Sequence, residues 1–316
     1  MRMELPMRTL GKGGLRVSAL SLGTVSLGLD YGLPALAGFG RPNRDEAARV
    51  LCAAADAGIN LFDTAPAYGE AERLLGSALG KRSECYFATK VAIATDNQGI
   101  GGAANVEKQV NHSVEQSLRD LRRDRLDLVQ LHNATVALLA RGDAVEALLV
   151  AQRQGKIGWL GASVYSEEEA LAVIRCGCFD SLQVAFNLLD QKMAQRVIAA
   201  AVAAGVALIL RSALLKGALT EKAQWLPPEL SDLKRAVEEL RQTVGGSWRQ
   251  LTRLAFRFCL SVPQSASVLI GARTVDELDE ALAAVYEGPL SPEEFLALSR
   301  RGADERWLNP SHWNVP

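Results

Sequence analysis

Four residues able to govern a phenolic proton fall at the ends of three consecutive apolar segments. Asp63 and Tyr68 lie in Asp63-Thr64-Ala65-Pro66-Ala67-Tyr68-Gly69-Glu70, directly after Ile59–Phe62. Lys90 closes the run Cys85–Lys90, and His132 closes Leu126–His132. A free tyrosine, with a pKa of ~10, is a poor proton donor or acceptor at neutral pH. A neighbouring ammonium favours the phenolate, so Lys90 is expected to lower that value. Asp63 can hold Lys90 as an ion pair. His132 can donate a hydrogen bond to a carbonyl oxygen or relay the proton. Together they form a general acid and an electrophilic site over one carbonyl. Each residue alone has a plainer reading: a helix cap, a packed aromatic, a surface lysine, a structural histidine. Their coincidence on adjacent strand ends favours one shared site.

The elements that must position them alternate regularly. Thr9–Val17 reads as a hairpin around Gly11-Lys12-Gly13-Gly14, followed by an apolar strand, Ala19–Gly23. Asn43 is a good N-cap for a helix Arg44–Ala57, which Gly58 stops. Strand Ile59–Phe62 and helix Ala71–Leu79 follow, then strand Cys85–Lys90 and helix Val106–Leu121. Next come strand Leu126–His132, helix Asp143–Gln154, strand Ile157–Ser163 and helix Ser166–Arg175. Strand Ser181–Phe186, helix Gln191–Ala204 and strand Val206–Ser212 continue the rhythm. A loop, Leu215–Ser231, and an extra helix, Asp232–Thr243, interrupt it. Helix Ser247–Leu260, strand Ser267–Gly271 and helix Thr274–Val285 restore it, and Pro292–Arg301 is a helix outside the count.

Near-continuous apolar strands are those of a parallel sheet buried on both faces. Eight strand–helix units predict a closed α/β (β/α)8 barrel, whose strand ends open on one active-site face. Neighbouring strands ~4.8 Å apart would bring Asp63, Lys90 and His132 within roughly 10 Å. An open doubly wound sheet competes, but Gly23-Thr24-Val25-Ser26-Leu27-Gly28 is not its G-x-G-x-x-G fingerprint.

The chain of 316 residues is expected to be a single domain, 1–316, with 48% hydrophobic residues to fill its core. A net charge of −1 gives no bulk attraction to nucleic acid or an anionic membrane. The first twelve residues lack the apolar run of a signal peptide. The apolar run Val197–Leu210 is too short to span a bilayer. Five scattered cysteines fit a reducing cytoplasm. Cys176-Gly177-Cys178 is too tightly spaced for a zinc pair, and no metal-ligand set is apparent. The arginines at 119, 122, 123 and 125 are offset by Asp120, Asp124 and Asp127. Gly99-Ile100-Gly101-Gly102 reads as a mobile loop, because no Lys-Ser/Thr follows it.

Three stretches closely resemble the aldo-keto reductases: Gly58–Ala65 with Tyr68-Gly69, Ala88-Thr89-Lys90-Val91, and Asp127–His132. The N-terminal hairpin, Gly155-Lys156-Ile157-Gly158 and Ile270-Gly271-Ala272-Arg273 extend the resemblance along the chain. It implies a (β/α)8 barrel that binds NADP(H), or possibly NAD(H), across its mouth without a Rossmann fold. It implies hydride transfer between nicotinamide and an aldehyde, ketone or alcohol, with Tyr68 as general acid. Gly23, Thr24, Asp63, Ser163, Gln183, Arg211, Ser212, Leu214, Gly217, Gly271, Arg273, Glu277 and Glu280 are the implied cofactor-binding residues. Ser163 and Gln183 would hold the nicotinamide amide, and Ser212, Leu214 and Gly217 would cover the pyrophosphate. Arg273 would meet the 2′-phosphate and Glu280 the adenine.

The chain departs from the family at four places. Val164 replaces the asparagine after the serine, and Arg211 replaces the aromatic ring that stacks on nicotinamide. Glu277 and Ala281 replace a glutamine and an asparagine near adenine, and Glu277 could neutralise Arg273. Arg211 is expected either to turn to the pyrophosphate or an acid, or to lie against the nicotinamide. The leading expectation is a cytoplasmic oxidoreductase on small carbonyl or alcohol substrates. A slow-turnover cofactor-binding sensor subunit is the alternative; a phosphate-binding hydrolase or lyase is disfavoured. The substrate is left to loops Gly28–Arg41, Val91–Asn105, Leu215–Leu230 and the tail Arg306–Pro316. Trp225, Trp307 and Trp313 would either line a pocket there or pack the loops down.

Overall fold

The computed structural model describes residues 4–12, 14–33, 40–96, 99–262, 265–299 and 305–313. A hairpin of β1 (Met7–Leu10) and β2 (Leu15–Ser18) opens the chain, followed by β3 (Leu20–Gly23) and a single turn, α1 (Val25–Gly28). Then come α2 (Arg44–Asp56), β4 (Leu61–Asp63), α3 (Ala71–Leu79) and β5 (Tyr86–Val91). A two-residue ribbon of β6 (Thr95–Asp96) and β7 (Gly99–Ile100) precedes α4 (Ala103–Leu121) and β8 (Leu126–Leu131). The chain continues through α5 (Val136–Arg141), α6 (Asp143–Arg153), β9 (Ile157–Ser163), α7 (Glu167–Cys176) and β10 (Ser181–Ala185). Last are α8 (Val197–Ala204), β11 (Ala207–Arg211), α9 (Ser231–Gln242), α10 (Trp248–Leu260), β12 (Ser265–Gly271), α11 (Val275–Tyr286) and α12 (Pro292–Leu298). Strands β3, β4, β5, β8, β9, β10, β11 and β12 close into an all-parallel (β/α)8 barrel, as the strand–helix alternation predicts.

Alternation along each strand sorts the barrel interior into tiers, because side chains two residues apart share a face. At the lower tier Leu61, Ala88, Leu128 and Ile209 pack on one another and on Leu10, Leu15 and Val17 of the hairpin, which plugs that end. Two residues further on, the same faces carry Asp63, Lys90, Gln130 and Arg211 toward the mouth. The apolar tier beneath them excludes water, and Asp63 bonds to both Lys90 and Gln130. The opposite faces, with Phe62, Phe87, Val129 and Leu160, join the helices in the larger core.

Several elements differ from the sequence expectation. The short helices α1 and α5 were not anticipated; α5 forms because Thr135 caps it and Gly142 ends it in the left-handed region, at φ 78°. The ribbon β6–β7 lies inside the expected loop Val91–Asn105, so Gly99 and Ile100 are strand and Gly102 is the N-cap position of α4. The helix expected over Gln191–Ala204 is a 3₁₀ turn, Lys192–Ala194, followed by α8. The helix expected over Pro292–Arg301 ends at Leu298, and residues 300 and 301 lie outside the described set. Residues 34–39 and 314–316 of the expected mouth loops lie outside it too. Trp313 is buried and donates to the Trp307 carbonyl at 3.0 Å, so this pair packs the tail down. Among the described residues, no helix is long and apolar enough to cross a membrane.

Candidate active site

Asp63 ends β4, Lys90 lies in β5 and His132 follows β8, three adjacent strands of the barrel. The Lys90 ammonium pairs with Asp63 Oδ1 and donates to the Thr64 carbonyl at 3.0 Å. Both side chains of the pair are buried, at 1% and 4% exposure. Asp63 Oδ2 accepts from Gln130 Nε2 at 3.1 Å and from Gln183 Nε2 at 2.7 Å. Lys90 Nζ stands 4.9 Å from the centre of the Tyr68 ring. The His132 ring meets the Tyr68 ring edge to face, with centroids 5.7 Å apart at 84°. The structure therefore brings the four residues singled out from the sequence into one cluster.

Two glycines set the Tyr68 loop. A Cβ on Gly28 would stand 2.0 Å from the Tyr68 carbonyl oxygen, so only glycine lets α1 approach this closely. Gly69 takes φ +61°, with the Gly28 carbonyl 2.7 Å from where a Cβ would be. The loop is thus pinned against the first strand's connection, and the phenol turns inward over Lys90.

The electrostatics correct one expectation. Burial raises the Tyr68 phenol above its ordinary range, and the opposing pull of Lys90 does not overcome it. The desolvation cost of a phenolate here exceeds the attraction of an ammonium already shared with Asp63. Burial thus favours the protonated phenol at Tyr68. Burial alone would lower Lys90, but Asp63 and then Tyr68 outweigh it, and Lys90 stays cationic. His132 is pushed down to about 4 by burial and then by the Lys90 charge, so its imidazole is neutral.

Gln130 is a member of this cluster that sequence reasoning did not single out. The signal was present: it is the one amide in the otherwise apolar stretch Leu128–Leu131, on the face that β5 gives to Lys90, its register partner. Gly161 on β9 makes its room. A Cβ at position 161 would lie 2.8 Å from Gln130 Cγ and 2.5 Å from Ser181 Oγ. Gly161→Ala is expected to expel the Gln130 amide from Asp63 and destabilise the fold by about 1–3 kcal/mol, the usual cost of overpacking. Denaturant unfolding checks this, and an unchanged midpoint would mean the barrel yields there. Glu72, also missed, is buried behind the site on α3 and accepts from Thr89 Oγ1 at 2.6 Å.

The residues carried over as cofactor ligands fall into three groups. Ser163 and Gln183 lie at the mouth on β9 and β10, side by side in register, although the Gln183 amide is given to Asp63. Gly23 and Gly271 pair across β3 and β12, and Gly271 is exposed. Ser212, Leu214 and Gly217 form the loop after β11, where Ser212 is left-handed at φ 62° and its carbonyl accepts from Asn187 Nδ2 at 3.1 Å. Thr24 is buried and its hydroxyl bonds to the Asp63 carbonyl at 3.1 Å, a link between strands. Glu280 faces α10, where Arg249 and Arg253 take its carboxylate. Arg211 meets no acid in an ion pair among the described residues, but it donates to Ser212 Oγ, in the loop beyond, at 3.3 Å. It donates to the Val164 carbonyl at 3.0 Å and lies 4.5 Å over the Tyr165 ring. From there its charge acts on Tyr31, Tyr68 and His132. Among the described residues, no group of three or more His, Cys, Asp or Glu is placed to hold a metal ion.

The chain resembles proteins of known class along most of its length. It is 27% identical over 303 residues to the aldo-keto reductase YhdN of Bacillus subtilis, covering 89% of this chain and 88% of that protein. It is 29% identical over 301 residues to L-galactose dehydrogenase of Arabidopsis thaliana, covering 90% and 89%. Among solved structures, the holo form of an aldo-keto reductase from Bacillus halodurans is similar with a TM-score of 0.78 at 25% identity, covering 97% of this chain and 100% of that one. The family model described as the aldo/keto reductase family matches residues 19–300. A match over that much of the barrel, strand β3 through helix α12, shows that the chain belongs to the aldo/keto reductase family of oxidoreductases.

Proposed function

We propose that the protein interconverts a small carbonyl compound and its alcohol with a nicotinamide dinucleotide, NADP(H) or NAD(H), and that Tyr68 is the proton donor. The observation that carries this reading is the Lys90 ammonium held between the Asp63 carboxylate and the Tyr68 ring, with His132 against that ring. The mouth also suits a phosphate-bearing cofactor. Ser26 Oγ is buried without a hydrogen-bond partner among the described residues, and a Cβ on neighbouring Gly271 would touch only that atom, at 3.8 Å. Ser212, Gly217 and Ser163 would hold such a cofactor along the same rim. When bound, the nicotinamide supplies or accepts the hydride.

This chain's own residues manage the proton and the carbonyl. The neutral His132 donates a hydrogen bond to the carbonyl oxygen and fixes its place beside the phenol. Tyr68 delivers its proton to that oxygen as negative charge develops there. Lys90 stabilises the phenolate left behind, and Asp63, braced by Gln130 and Gln183, keeps Lys90 from swinging away. In the oxidation direction the same phenolate withdraws the alcohol proton.

Steady-state turnover on a panel of aldehydes, ketones and alcohols with each dinucleotide tests this reading. Absence of turnover on every pair would overturn it and leave the sensor alternative. The pH profile is a second check. An acid must be protonated to act, so reduction is lost only as pH rises through the Tyr68 pKa. Because burial raises that pKa, kcat/KM for carbonyl reduction is expected to stay flat from about pH 6 to pH 9. A descending limb centred near neutrality would show that Lys90 dominates the phenol after all.

A further inference from the structure

In (β/α)8 barrels the loops after the seventh and eighth strands, with a nearby helix N-terminus, often bind phosphate. Here the seventh and eighth strands are β11 and β12, and three charged side chains tie their loops together. Glu277, in the first turn of α11, accepts from the Arg273 backbone N–H at 2.8 Å through Oε2. Its Oε1 accepts from the Arg273 guanidinium at 3.3 Å and from Lys222 Nζ at 3.1 Å. The Arg273 guanidinium also donates to the Gly40 carbonyl at 3.3 Å. Glu277 is the most open of the three side chains, at 35% exposure against 24% for Lys222 and 14% for Arg273.

We propose that Glu277 makes this protein select NAD(H) over NADP(H), by holding a carboxylate where a 2′-phosphate would have to sit. The proposal rests on the dinucleotide reading above. The resemblance that sets Ser212, Leu214 and Gly217 over the pyrophosphate and Arg273 at the 2′-phosphate would bring the second ribose of that dinucleotide to this cluster. Each carboxylate oxygen accepts at two lone-pair positions. Oε1 has both filled by cations, and Oε2 keeps one for a hydroxyl donor. A ribose 2′-hydroxyl supplies that donor, as it does to the acidic residue of dinucleotide folds of other architecture. A 2′-phosphate instead brings about −1.5 to −2 charges and no donor. It must displace Glu277 from Lys222 and Arg273 before either cation can serve it. The sequence alone weights Arg273 toward NADPH; the ion pairs spend that arginine on Glu277.

The test is equilibrium binding of NADH and NADPH to the full chain by titration calorimetry, with no substrate present. The parent is expected to bind NADH at least about tenfold more tightly than NADPH. Glu277→Gln, which keeps the side-chain shape and frees both cations, is expected to shrink that ratio by about tenfold or invert it. Lys222→Met, which strips a counter-charge from the carboxylate, is expected to widen it. Parent affinity for NADPH equal to or above that for NADH overturns the proposal while leaving the dinucleotide reading intact. The proposal also falls if Glu277→Gln, shown to be folded by its unfolding midpoint, leaves the ratio unchanged. Binding of neither dinucleotide overturns both this proposal and the reading beneath it.

Discussion

Tyr68→Phe is expected to lower kcat for carbonyl reduction by about 10²- to 10⁴-fold, the range of a positioned general acid. The substitution keeps the ring that His132 meets edge to face and removes only the hydroxyl. The loop is held by Gly28 and Gly69 rather than by the phenol, so it should not move. Dinucleotide affinity should therefore change by less than about twofold, a few tenths of a kcal/mol. Single-turnover reduction of an activated aldehyde, followed by cofactor absorbance, separates the chemical step from product release. A variant that keeps most of its kcat would remove Tyr68 from the role of acid. The position would then pass to His132, whose neutral imidazole can donate a hydrogen bond but, with its pKa pushed down to about 4, holds no spare proton at neutral pH.

The barrel and the four clustered residues were legible in the sequence because both rest on local signals. Apolar runs of strand length alternate with helical patterns, some opened by a capping residue and closed by a glycine, as with Asn43 and Gly58 or Ser166 and Gly177. Lys90 and Asp63 stand out as charges at the ends of such runs. What was hidden depends on contacts between distant segments. Gln130 gains its role from Gly161, thirty-one positions on, which vacates the space its amide needs. The direction of the Tyr68 shift turns on how deeply the loop is buried, and strand order alone does not fix that depth. Arg211 could be placed at the mouth but not aimed: the carbonyl it bonds belongs to Val164 and the ring beneath it to Tyr165, both after β9. Lys222 lay in a stretch with no periodic pattern, and only the folded loop shows that it reaches Glu277. The charge of Glu280 was equally visible, but α10 claims it.

Lys90→Met is expected to cost both activity and stability, and a second substitution separates the two. The lysine is the only cation bonded to Asp63 among the described residues, and both lie out of solvent. Removing one partner of a buried ion pair leaves the other charge uncompensated, at a cost of about 3–5 kcal/mol. The amides of Gln130 and Gln183 still donate to Asp63 Oδ2 but bring no charge. Methionine is close in volume to the lysine stem, so the loss is electrostatic rather than a cavity. Adding Asp63→Asn removes the stranded charge, and the double variant is expected to regain at least half of the lost stability in denaturant unfolding. Its kcat should stay down by about 10²-fold or more, because the phenolate of Tyr68 then has no ammonium to stabilise it. Stability that fails to return in the double variant would mean that Lys90 holds the barrel mouth by packing. A return of activity along with stability would mean that the ion pair serves the fold and Tyr68 needs no cation beside it.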